Sequence, residues 1–403
     1  MTTTARPTAG EQTSADQAGA DHGGRSAARD GGLTYARARL YVGVFGVGTW
    51  VVLAAAALAF GVPDAVGAQY PASGLTPAAL GVIAGFAALH ALIQAPFDFF
   101  GGYRLPRRFA RSELTFGRWA MRWLRGVLAW NSTLALSFVG IAAASHWIGP
   151  FGPLAAVVGL SLLLLGFRLP LARLVGIWRI NSTEPAEGVP TAIAHSDDPG
   201  FTGAITGLVR ARLNIVPERW RATLTDEQYE TAVRRRATAL NSGSWQRGRL
   251  VGLGFTWIGA ALASWFAADL AGTAAGVIEF SLLFSLWSFA GLLVLPSVSR
   301  HATASIDATM VSNGADPRSL GELALELDRL QDEEPARPKW IERIFHPIPD
   351  AGGRGAGARV ARFAAWDAAR VAIFLGLSAG GLLGRSVHCN AGRPDLWVML
   401  PTD

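Results

Sequence analysis

Six apolar runs punctuate the chain, at residues 40–62, 78–96, 124–147, 151–167, 250–267 and 274–298. Four of them hold no Asp, Glu, Lys or Arg, and the other two hold only Arg125 and Glu279. A helix at the surface of a soluble protein keeps a polar stripe, and these runs have none. Crossing the hydrocarbon layer takes about 20 apolar residues at 1.5 Å rise each. The pattern therefore predicts six transmembrane helices.

Local signals outline the intervening segments. Residues 1–36 are rich in Thr, Ala, Gly, Asp and Arg and read as a disordered tail. Pro185, Pro190 and Pro199 mark a loop after the fourth run. Thr225 then precedes Asp226-Glu227-Gln228, a capping-box start for a helix reaching about Asn241. Beyond the sixth run, helix continues through Asp307 and resumes over residues 319–330, followed by Pro335, Pro338, Pro347 and Pro349. The predicted fold is an all-α, polytopic membrane bundle with helical segments outside the bilayer. Its parts are a tail (1–36), a four-span region (37–179), a region 180–361 containing the hairpin 250–298, and a C-terminal part (362–403).

Charge orients this arrangement. The connections 63–77, 148–150 and 268–273 hold no Lys or Arg, whereas Arg37, Arg39, Arg104, Arg107, Arg108, Arg111, Arg118, Arg122 and the later soluble stretches lie on the other side. Basic loops stay in the cytoplasm, so the N-terminus and both large soluble segments are expected there, in a bacterial cell membrane. Residues 363–384 are apolar enough to cross, but a seventh span would place Arg385 and Arg393 outside. An interfacial or re-entrant helix is the expectation, with a seventh span as the alternative.

Of the 403 residues 50% are hydrophobic and 16% charged, below the roughly 25% charged of soluble domains. The net charge of +6 sits as Arg beside apolar runs, which suits anionic headgroups rather than nucleic acid. The bilayer is the expected partner, together with other membrane proteins. One cysteine, Cys389, excludes an internal disulfide and a thiolate zinc site.

The order of parts carries a resemblance. A helix opening Leu224-Thr225-Asp226-Glu227-Gln228 runs into a membrane hairpin, which returns into Ser299-Arg300-His301-Ala302-Thr303-Ala304-Ser305-Ile306-Asp307, and Phe345-His346-Pro347 follows. This order resembles the integral membrane zinc metallopeptidases of the HtpX and CAAX-prenyl-protease type, whose soluble part is a gluzincin peptidase domain. It covers roughly residues 202–349, and more loosely Pro96-Phe97-Asp98-Phe99-Phe100-Gly101-Gly102-Tyr103 and Arg385-Ser386-Val387-His388-Cys389-Asn390. In that family an HExxH helix supplies two zinc ligands and a general base, and a Glu on the returning helix supplies the third ligand.

The matching positions here are degenerate. Residues 233–239 occupy the ligand turn, with Arg236 and Ala239 at positions where the family carries site residues. No HExxH occurs, and among the seven histidines no two lie three to five apart. Thr303 stands in place of the third ligand, while Ser299, Arg300, Asp307, His346 and Pro347 match.

The resemblance thus implies a metallopeptidase-like membrane protein that is catalytically inactive, a pseudoprotease binding membrane-protein segments or partners. No catalytic residue, metal ligand or cofactor is expected. The alternative is an active zinc endopeptidase with a non-standard site drawn from His301, His346 and His388 with Glu342 or Asp307. A small-molecule transporter is a third reading, and the scarcity of polar residues within the runs counts against it. Asp307 is expected to pack or to pair with Arg300.

Overall fold

The computed structural model describes residues 33–176, 179–186, 188–207, 212–331, 338–349 and 359–400. The expected disordered tail, all but its last four residues, lies outside them, as do the Gly-rich segment 352–357 and the end of the acidic run 328–334.

The apolar runs fold as helices. α1 spans Tyr35–Ala59, the short α2 spans Val62–Gln69, α3 spans Pro77–Phe99 and α4 spans Phe116–Ile148. Thr34, Thr76 and Thr115 cap α1, α3 and α4, each hydroxyl accepting a backbone N–H three residues on. α3 continues through a π-helical turn, Phe100–Arg104, into Leu105–Arg108. α5 (Gly152–Gly166) and α6 (Arg168–Val175) meet at a 73° bend.

Among the described residues five helices are long and apolar enough to cross a bilayer, or six if the bent pair is one broken span. Phe45, Leu92, Leu136 and Trp265 stand exposed on these helices. That outer surface suits lipid and would be costly against water. The protein is a polytopic, mostly helical membrane bundle.

A four-stranded sheet follows the bent pair, where a proline-rich loop was expected. β1 (Arg179–Ala186) and β2 (Val189–His195) form an antiparallel hairpin, and β3 (Ala204–Thr206) and β4 (Leu213–Pro217) complete the order β1-β2-β4-β3. Pro185 pairs with Pro190 at the end of the hairpin, and the parallel β2–β4 ladder begins one residue later, at Thr191↔Asn214. The prolines thus sit where no ladder donor is needed.

α7 (Asp226–Asn241) begins with the predicted capping box at Thr225. α8 (Ser244–Phe266) and α9 (Ala274–Ser312) form the hairpin. α9 is 39 residues long, roughly 58 Å at 1.5 Å per residue. It therefore projects well beyond an apolar layer of about 30 Å. The projecting end packs against α7, and α10 (Pro317–Leu330) packs against α7 as well. Val216, Trp220, Val233 and Leu327 form the core between sheet, α7 and α10; Ala237, Leu240, Trp245 and Ile306 form the one between α7 and α9. The short α11 (Lys339–Phe345) packs on α9.

Among the described residues the C-terminal part holds no helix long enough for a seventh span. α12 (Ala368–Leu375) and a 3-10 turn, Gly376–Ala379, make only 12 helical residues, about 18 Å and too short to cross. α12 lies against α8 and α9, and residues 374–386 and 390–400 are buried throughout. The cations of this segment are paired inside the protein: Arg385 with Asp98, and Arg393 with Asp198.

Candidate functional site

α7, which carries Arg236 and Ala239, packs on the projecting end of α9, which carries Thr303 and Asp307. Three arginines in a row cannot share one face of a helix. Arg234 is exposed, while Arg235 and Arg236 are buried. Arg235 Nε donates to Asp307 Oδ1 at 2.6 Å, and both side chains are almost wholly enclosed. Arg236 donates to Asn214 Oδ1 (3.1 Å), to the Ile215 carbonyl (2.7 Å) and to the Thr202 carbonyl. Its guanidinium also lies over the Trp220 ring, 4.9 Å from the centroid. Ala239 and Thr303 are buried too.

The arrangement presents donors where a zinc site needs acceptors. A guanidinium stays protonated and has no lone pair to offer a metal. Two of them, an Ala and a Thr do not fit zinc. Among the described residues no group of three or more His, Cys, Asp or Glu side chains gathers as a metal could require.

The second motif serves a different purpose from the expected one. Arg300 does not pair with Asp307. It reaches α11 instead, donating to the carbonyls of Glu342 (2.8 Å) and His346 (3.2 Å) and to Ser297 Oγ (3.1 Å). These contacts satisfy the C-terminal end of α11. Ser299 Oγ accepts the Ala369 N–H at 3.0 Å and so positions α12. His346 packs edge-on to His388, ring centres 5.3 Å apart, whereas His301 is exposed and lies 2.7 Å from the Ser297 carbonyl. The structure joins two of the three candidate histidines and leaves the third and Asp307 elsewhere.

A second polar centre lies inside the bundle, where the two loosely matching segments meet. Asp98, at the end of α3, is enclosed and receives Arg385, Trp123 Nε1 (2.9 Å), Gln94 Nε2 (3.3 Å) and the Gly392 N–H (2.9 Å). Gln94 Oε1 accepts from Trp50 Nε1 (3.0 Å) and Ser386 Oγ (2.6 Å). Arg385 also reaches Asn131 and lies over the Trp397 ring at 4.6 Å. Gly101 and Gly102 let the π-helical turn touch the tail: a Cβ on Gly102 would stand 1.9 Å from the Gly392 carbonyl oxygen. The signal for this centre was an Asp closing an apolar run and an Arg following another. Neither residue names its partner across 287 positions.

The tail is also tied to the sheet end of the molecule. Arg393 binds Asp198 (Nε to Oδ2, 2.8 Å), and Asp395 accepts from Arg122 (2.9 Å) and Ser196 Oγ (2.5 Å). Burial pushes the Asp198 carboxyl up, but the Arg393 charge and hydrogen bonds and the Gly200 N–H outweigh it and hold it down to about 2. For Asp395 burial prevails, with the charge of Asp198 adding to it, and its carboxyl lies above the usual range despite Arg122.

A helix entering a membrane hairpin and closing on the hairpin's projecting base, within a bundle of membrane-spanning helices, defines the class: a polytopic, mostly helical membrane protein. Among solved structures the fold is similar to that in the crystal structure of S. mikatae Ste24p, with a TM-score of 0.53 and 11% sequence identity, covering 71% of this chain and 76% of that one. No protein-family model matches the sequence, and no curated protein matches it.

Proposed function

We propose that this protein is a membrane-embedded relative of the zinc metallopeptidases in which binding has replaced catalysis: a pseudoprotease that engages membrane-protein segments or a partner protein. One observation carries the reading. At the turn where the family holds its zinc, Arg235 and Arg236 are buried, and Asp307 is bound to Arg235. Two fixed positive charges there oppose a divalent cation, and the Asp307 carboxylate is engaged by Arg235. The likeness to Ste24p, a CAAX prenyl protease and membrane zinc metallopeptidase, supports the ancestry of the scaffold. The basic loops support placing the sheet and α7 in the cytoplasm of a bacterial cell.

The test is elemental analysis of detergent-purified protein prepared without chelators, paired with a photo-crosslinking residue at exposed Arg234. We expect no stoichiometric zinc and discrete adducts with other membrane proteins in intact cells. Zinc near one per chain would overturn the reading in favour of a non-standard enzyme site around His346 and His388. Metal-free protein that forms no adduct would refute the binding role.

A further inference from the structure

We propose that the cavity between α1, α9, α11 and the C-terminal tail holds an acyl chain of an anionic phospholipid taken from the surrounding bilayer. The cavity measures about 370 Å³, within the range of roughly 300–1,000 Å³ of small-molecule sites. Val47, Leu292, Phe345, Ile373 and Leu400 give it apolar walls. Its mouth lies between two membrane helices, where the lining residues Val44 (41% exposed) and Leu293 (45% exposed) also face outward. A ligand therefore arrives through lipid rather than through water.

Depth and charge select the occupant. The lining residues Leu40 to Gly48 form the first turns of α1, directly after Arg37 and Arg39. The cavity thus sits at the edge of the apolar layer, beside its basic rim. Arg370 lines it, and α11, whose Ile344 and Phe345 form one wall, carries exposed Lys339 and Arg343. Asp367, 3.7 Å from Arg370, and Glu342 on α11 are the acidic groups nearby. Exposed cations on the helix that walls an apolar pocket favour a lipid with a negative headgroup. The site is independent of whether α7 and α9 hold a metal.

Gly48 supplies a clean test. It lines the cavity, and a Cβ built on it meets nothing within 4 Å, whereas one on Gly43 would lie 2.6 Å from His388. Gly48→Phe should fill the space without displacing protein atoms. The full chain is reconstituted in vesicles of equal phosphatidylglycerol and phosphatidylethanolamine, released in mild detergent, and retained lipids are counted by native mass spectrometry. Phosphatidylglycerol should be retained over phosphatidylethanolamine. Gly48→Phe should lower its retention roughly tenfold at unchanged melting temperature. The pair Lys339→Glu and Arg343→Glu should abolish the headgroup preference, two surface cations having been reversed. Equal retention of both lipids by the parent protein, or full retention by a folded Gly48→Phe protein, would overturn the proposal.

A second readout needs no variant. Cys389, the sole thiol, lines the same cavity. A long-chain alkyl maleimide supplied in the bilayer should label it more slowly in phosphatidylglycerol than in phosphatidylethanolamine vesicles. Equal rates would likewise count against an anionic occupant.

Discussion

Consider removing the carboxylate of Asp307. The Arg235–Asp307 pair is almost completely enclosed, with one short contact of 2.6 Å. Asp307→Ala removes the carboxylate from a buried ion pair, a change that costs about 3–5 kcal/mol. The pair is not ideal, because Asp307 Oδ2 finds no hydrogen-bond partner among the described residues. Replacing both partners by apolar residues, Arg235→Met with Asp307→Leu, should therefore return most of the loss, since such exchanges are often neutral or stabilising by about 1–4 kcal/mol. The assay is a double-mutant cycle on unfolding in a fixed detergent, read by intrinsic Trp fluorescence. The expected result is a coupling energy of several kcal/mol between the two positions. If Asp307→Ala keeps its full stability yet abolishes the protein's cellular function, the residue acts on a ligand and the structural assignment is wrong. Strictly additive losses would also refute it.

Three other outcomes can be checked with the same material. Thr303→Glu alone should generate no chelator-sensitive cleavage of quenched peptide substrates, because guanidinium groups still hold the ligand turn; measurable cleavage would contradict that. Gly102→Ala should destabilise by about 1–3 kcal/mol, since its Cβ would press on the Gly392 carbonyl from 1.9 Å; a melting temperature equal to the parent's would show that the tail moves freely. Asp198 is held below its ordinary 3.8, at about 2, so its stabilising contribution is complete above pH 3.8 and disappears as pH falls through about 2. Asp395 has the opposite sign: its raised value favours folding when it is protonated. Asp198→Asn should therefore flatten the loss of stability between those two pH values, and an acid limb identical to the parent's would rule out the Asp198–Arg393 bridge as its source.

The membrane helices were legible because their signal is local. An apolar run without charges announces itself, and the capping box at Thr225 placed the start of α7 where it is observed. The sheet was not legible, for its strands are short and carry Pro185 and Pro190, which read as loop until pairing reveals that they avoid the ladder. The pairing of the tail's cations was not legible for a related reason. Arg385 and Arg393 count as topological charges in a sequence, but in the structure they are neutralised by Asp98 and Asp198. At the candidate site the residues 233–239 hold no His, Cys, Asp or Glu, and the partner of Asp307 was not legible. Arg235 and Arg300 are both basic and both near, and only the packing of α7 against α9 chooses between them.

The burial of the tail bears on how the molecule is made. Asp98 enters the membrane early in synthesis, and its counter-charge Arg385 is 287 residues behind it. At about 5–20 residues per second, that gap lasts roughly 15–60 s. Throughout it, α3 carries a lone carboxyl group whose final guanidinium partner has not left the ribosome. A segment made long after α3 is thus the one that seals the interior, and the newborn chain remains an open assembly until the stretch around Arg385 docks.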